Sequence, residues 1–157
     1  MKHIKWVELL IYVISAELVG ALSGIASGGD FGTFYQSLQQ PPFAPPGWLF
    51  PVAWVLLYAL MGISAYQLSR TEHSQGNAAL KLYWIQLAVN FLWSPVFFRF
   101  HSLGGAAVVI LVLLALVTVM AVWFWRIRHI AGLLNIPYVL WTAYATYLTL
   151  GILKLNT

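Results

Sequence analysis

The chain has 157 residues, 61% of them hydrophobic and only 8% charged, with a mean hydropathy of +0.81. Such usage lies far outside that of soluble globular proteins and indicates an integral membrane protein with one domain, residues 1–157. The absence of cysteine excludes disulfides, thiol catalysis and zinc–thiolate sites, and the net charge of +4 comes from basic residues scattered singly, which leaves no patch for nucleic acid.

Five stretches have the roughly 20 apolar residues that a bilayer crossing needs: residues 6–26, 48–69, 78–98, 103–125 and 133–153. The last four are joined by short linkers, which implies antiparallel neighbours. The expected fold is an all-α integral membrane bundle of five transmembrane helices with a long, structured first loop.

The first stretch follows Lys2 and Lys5 and ends in small residues around 23–26, as a signal peptide does. Its apolar run is long for that role and Glu17 interrupts it, so it reads as a retained span. An intramembrane carboxylate is costly and is a functional-site hypothesis by default; Glu17 is alternatively protonated, or paired with a polar neighbour such as Gln86. Ala16, Gly20, Gly24 and Gly28 recur every four residues. Such a small-residue stripe permits close helix contact, either as a dimer seam or inside the bundle.

The loop that follows carries Asp30 and no Lys or Arg, then Pro41, Pro42, Pro45, Pro46 and Gly47. Those residues hold a backbone in turn and extended conformations. A rigid, apolar segment set against the start of a span reads as a lid over a pocket. Trp54 and Tyr58 then share a helix face, as do Asn90, Ser94 and Phe97 with Trp93 beside them, and Trp141, Ala145 and Leu148 in the last span. Asn90 is near mid-membrane, where hydrocarbon offers no hydrogen bond. Polar tips on aromatic walls suit a flat apolar ligand. The same residues also fit an interfacial aromatic belt, with Asn90 joining two helices.

His3, His73, His101 and His129 lie near segment ends, off these faces. This argues against axial haem ligation or a metal site in the bundle. With no phosphate-binding glycine loop, nucleophile–base pair or paired carboxylates, hydrolase and transferase chemistry has no support, and no cofactor is required. Lys2, Lys5, Arg70, Lys81, Arg126 and Arg128 gather on the N-terminal side of the spans, against Arg99 and Lys154 on the other. The positive-inside rule then puts the N-terminus in the cytoplasm and the first loop and C-terminus outward.

In chain order the sequence reads Phe34-Tyr35-x-x-Leu38-x-x-Pro41, Pro45-Pro46-Gly47-Trp48-x-Phe50-Pro51-x-x-Trp54-x-x-x-Tyr58, Asn90-x-x-Trp93-x-x-x-Phe97 and Pro137-Tyr138-x-x-Trp141-x-x-x-Ala145-Thr146-x-Leu148. Together these resemble the TspO/MBR family (translocator protein, tryptophan-rich sensory protein, peripheral-type benzodiazepine receptor), and the short chain is similar to a bacterial member, in a bacterial cell membrane. The resemblance implies a five-helix bundle, often a homodimer, whose first loop caps a pocket. Family ligands are protoporphyrin IX and haem-related tetrapyrroles, cholesterol in animal members, and synthetic isoquinoline carboxamides and benzodiazepines.

Carried over by motif position, Trp54 and Trp141 would offer indole N–H donors to a ligand carbonyl and Asn90 a polar contact. Tyr58, Trp93, Phe97, Ala145 and Leu148 would form walls, with Pro137 and Tyr138 in the same fifth-span motif. Phe43, Pro45 and Phe50 would come from the lid. Phe34 and Phe43 stand where many members have Trp, so closure there would be by apolar packing. Leu150 stands where the cholesterol consensus has Tyr, with Lys154 at its basic position, so that sterol motif is degenerate. The activities implied are a porphyrin receptor or sensor; light- and oxygen-dependent porphyrin breakdown, with Trp54 and Trp141 as the only catalytic candidates; and porphyrin or lipid transport, hinted at by Glu17 alone.

Overall fold

The computed structural model describes residues 3–29 and 31–157, so Lys2 and Asp30 lie outside the described residues. Among those described the chain is all-helical. α1 spans Trp6–Ala26, α2 Phe31–Ser37, α3 Leu49–Ser69, α4 Gly76–Ser94, α5 Leu103–Ile127, α6 His129–Leu134 and α7 Ile136–Leu155. α4 continues into a π-helical turn over Pro95–Arg99.

Proline placement explains several boundaries. Pro51 sits in the first turn of α3 and Pro137 in that of α7, where the missing N–H has no helical role. Pro95 ends the regular part of α4 because it cannot donate to the carbonyl of Phe91. That oxygen instead accepts the Ser23 hydroxyl of α1 at 2.8 Å. The backbone then widens into the π turn, closed by Phe100 N–H donating to Pro95 O at 3.0 Å. At the start of α5 the Ser102 hydroxyl accepts from the Gly105 amide, an ordinary N-cap.

α1 packs on α3 and α4, and α5 on α4 and α7. The α1–α3 approach depends on Gly62, where a Cβ would stand 2.6 Å from Val13 Cα. The α5–α6 turn is equally tight, since a Cβ on Gly132 would lie 2.5 Å from Trp125 Cα. At the α6–α7 joint, Asn135 Nδ2 donates to Ser64 Oγ at 2.7 Å, which ties the joint to α3. At the opposite edge of α3, Glu8 bridges Lys5 and Arg70 at 3.0 and 3.6 Å.

The outer faces are apolar. Leu10, Ile14, Leu18, Leu22 and Ile25 of α1 are exposed, as a lipid-facing surface requires. By length and composition, α1, α3, α5 and the 27 residues of α6 plus α7 can each cross a membrane. The expected third span, 78–98, is helical but more polar, because α4 carries Lys81, Gln86 and Asn90. Gln86 and Asn90 are buried, so α4 places its polar groups inside the bundle. The small stripe of α1 also faces inward: Ala16 is fully buried, and Gly20 lies so close to Tyr58 that a Cβ would stand 2.3 Å from its ring.

Candidate ligand cavity

Beneath the first loop lies a cavity of about 410 Å³, within the size range of small-molecule sites. α1 contributes Glu17, Gly20, Ser23 and Gly24; α2 contributes Phe31, Gly32 and Tyr35; α3 contributes Phe50, Trp54 and Tyr58; and the α4 end contributes Asn90, Trp93, Ser94 and Phe98. The glycines of α1 make the space, since a Cβ at Gly24 would meet nothing nearer than Phe31 at 4.0 Å. Ala21, Pro51 and Val55 form an exposed edge where the cavity reaches the outer surface between α1 and α3.

A buried polar chain stands behind the wall. Tyr58 OH donates to Asn90 Oδ1 at 2.6 Å, Asn90 Nδ2 to Tyr138 OH at 2.6 Å, and Tyr138 OH to Gln86 Oε1 at 2.7 Å. Asn90 thus joins α3, α4 and α7, which satisfies the mid-membrane carboxamide. Gln86 Nε2 lies 3.6 Å from Met61 Sδ. Gln86 is therefore engaged with Tyr138 and Met61 rather than with Glu17, its expected partner.

Of the residues read from the sequence as ligand-binding, Phe50, Trp54, Tyr58, Asn90 and Trp93 line this cavity. Phe97, Ala145 and Leu148 line a separate narrow void of about 10 Å³, which shares Tyr35, Phe50, Trp93 and Phe98 with the main one. Pro137 and Tyr138 line neither; Tyr138 is fully buried in the polar chain. Trp141 also lies outside both linings. Its ring meets Trp54 edge-on at 6.3 Å and Phe50 at 5.9 Å, so Trp54 stands between it and the cavity. The indole N–H groups of Trp93 and Trp141 are buried without an acceptor among the described residues.

The lid is strapped to α7. Tyr144 OH donates to Phe43 O and Tyr147 OH to Pro42 O. Asn156 Oδ1 accepts from the Gln39 amide at 3.0 Å, while its Nδ2 donates to Gln39 O at 2.9 Å. Pro41 packs where Gly151 lacks a side chain, since a Cβ there would stand 2.8 Å from the proline ring. Tyr35 OH closes the loop on itself by donating to Pro45 O at 3.2 Å. Burial, and to a lesser degree the nearby Tyr144 phenol, pushes Tyr35 above the ordinary phenol range, which keeps this donor protonated.

Two lid residues are placed differently from the sequence expectation. Phe43 is 89% exposed and adopts φ +64°, so its ring points away from the cavity and only its carbonyl is used. Pro45 is buried but outside the lining, with its carbonyl held by Tyr35. The sequence reading missed Gly20, Gly24, Phe31 and Tyr35 as lining. The first two were visible as part of the small stripe, which shares a helix face with Glu17.

Comparison with known proteins agrees with this architecture. Residues 12–155 match the model of the TspO/MBR family. The chain is 40% identical over 148 residues to protein CrtK of Rhodobacter capsulatus, covering 93% of this chain and 91% of that one. It is 37% identical over 123 residues to a tryptophan-rich sensory protein of Cereibacter sphaeroides, covering 78% and 77% of the two chains. It is 32% identical over 143 residues to the translocator protein of Bos taurus, covering 89% and 85%. The chain is a membrane protein and belongs to the TspO/MBR family.

Proposed function

We propose that this protein is a membrane receptor that binds a flat, largely apolar tetrapyrrole such as protoporphyrin IX in the cavity beneath its first loop. The observation that carries the reading is the cavity itself: about 410 Å³, walled by Phe31, Phe50, Trp54, Tyr58, Trp93 and Phe98. Aromatic faces at this spacing suit a planar ring system, and the exposed edge at Ala21 and Val55 leaves room for a ligand wider than the enclosed volume. The gathering of Lys5, Arg70, Lys81, Arg126 and Arg128 at one end of the helices supports a cytoplasmic N-terminus and an outward lid.

Titration of protoporphyrin IX in lipid nanodiscs, followed by tryptophan fluorescence, tests the site with Gly24→Leu. A Cβ is sterically free at Gly24, so leucine fills the cavity without displacing backbone. Affinity should fall about tenfold or more. Unchanged affinity in this variant would remove the cavity as the binding site.

A further inference from the structure

The cavity holds a carboxylate that no described residue neutralises. Glu17 lines it from α1, one turn deeper than Gly20, and among the described residues it makes no hydrogen bond or ion pair. The neighbouring polar groups are engaged elsewhere. The Ser23 hydroxyl is given to Phe91 O, Tyr58 OH to Asn90, and Gln86 to Tyr138 and Met61. Three of the cations are engaged too, with Lys5 and Arg70 on Glu8 and Arg99 donating to Ala26 O at 3.3 Å. An uncompensated carboxylate in a membrane-embedded apolar site is costly, and the cost falls when a donor arrives opposite it.

At the lid end of α4 the Trp93 indole N–H also lacks an acceptor among the described residues, but it is buried and does not open onto the cavity. Glu17 lies seven residues before Gly24, about 10 Å deeper along the helix axis. The uncompensated carboxylate therefore marks the deep end of the cavity.

We propose that Glu17 is the specificity-determining group of this cavity, selecting flat apolar ligands that carry a protonated amine or N–H at their deep end. This inference rests on the cavity being the ligand site. For a tetrapyrrole it sets the orientation: carboxylate side chains lie toward the lid, away from the like charge of Glu17.

The test uses three pyrenes of one shape, pyrenemethylamine, methylpyrene and pyrenecarboxylic acid, added to the full chain in zwitterionic nanodiscs. Binding is read by energy transfer from tryptophan. Wild type should bind the amine about tenfold more tightly than methylpyrene, the gain of one charge-assisted hydrogen bond, and the acid most weakly. In Glu17→Gln, an isosteric change, the amine should come within about twofold of methylpyrene, while methylpyrene affinity itself stays as in wild type and reports an intact cavity. Partitioning into lipid is common to both proteins and cancels. An amine preference that is absent in wild type, or that survives in Glu17→Gln, overturns the assignment of Glu17. If methylpyrene binds and is displaced by protoporphyrin IX in that case, the cavity reading stands without it. If neither methylpyrene nor protoporphyrin IX binds, both fall.

Discussion

Ser23 on α1 donates its hydroxyl to the carbonyl of Phe91 on α4, the oxygen whose helical donor position is occupied by Pro95. A local defect in one helix thereby becomes a tertiary bond to another, at the level of the cavity. Ser23→Ala should destabilise the protein by about 1 kcal/mol, the usual cost of one buried hydrogen bond. In a Pro95→Ala background, where the backbone can supply the N–H itself, the same change should cost much less. Unfolding in detergent by a double-mutant cycle measures this, and additive effects would show that the two residues are not coupled.

The chain Tyr58–Asn90–Tyr138–Gln86 makes Asn90 the most expensive polar residue to remove. Asn90→Leu would leave the buried Tyr58 hydroxyl without its acceptor and break the bond to Tyr138, which keeps only Gln86, whereas Tyr58→Phe removes one bond only. The expected losses are about 2 kcal/mol for Asn90→Leu and about 0.6 kcal/mol for Tyr58→Phe, the latter near the average for interhelical bonds in membranes. Equal losses would mean that the network is not held together at Asn90.

The lid straps predict a local effect. Asn156→Ala removes both bonds to Gln39, and Tyr147→Phe removes the bond to Pro42. Amide exchange at Gln39 should quicken about tenfold in Asn156→Ala while amides in α3 and α5 are unaffected, because about 1.4 kcal/mol of local protection is lost. Ligand release should quicken in the Asn156→Ala, Tyr147→Phe pair. Uniform exchange changes along the whole chain would argue against a separable lid.

Phe43 offers a test in the opposite direction. Its backbone is left-handed, which costs a residue with a Cβ about 1 kcal/mol, and its exposed ring returns little packing within the chain. Phe43→Gly should leave stability equal or raise it by up to about 1 kcal/mol, and should leave ligand affinity unchanged. A clear fall in affinity would show that the ring folds inward over bound ligand.

Much of this molecule is legible along one dimension. Composition marks the apolar helices, because twenty residues without a charge have few alternatives to a bilayer. The prolines at 41, 42, 45 and 46 mark a rigid loop, because each fixes its own φ and restricts the residue before it. Helical spacing puts Trp54 with Tyr58 and Asn90 with Trp93 on shared faces. The motifs that run through these positions carry the family.

What the tertiary structure decided is which face meets which. Trp141 reads as equivalent to Trp54, yet Trp54 stands between it and the cavity, an outcome set by how α3 and α7 are rotated in the bundle. Those rotations follow from non-local terms: the close approach at Gly62, the room that Gly20 leaves for the Tyr58 ring, and the requirement that Asn90 find partners on two other helices. The outward turn of Phe43 is likewise imposed from outside the loop, by the Tyr144 and Tyr147 hydroxyls that claim its carbonyl and its neighbour's. Sequence determines the helices and their faces because those depend on residues a few positions apart. The cavity, with Glu17 inside it, exists only once distant helices have satisfied each other's polar groups and left that one without a partner among the described residues.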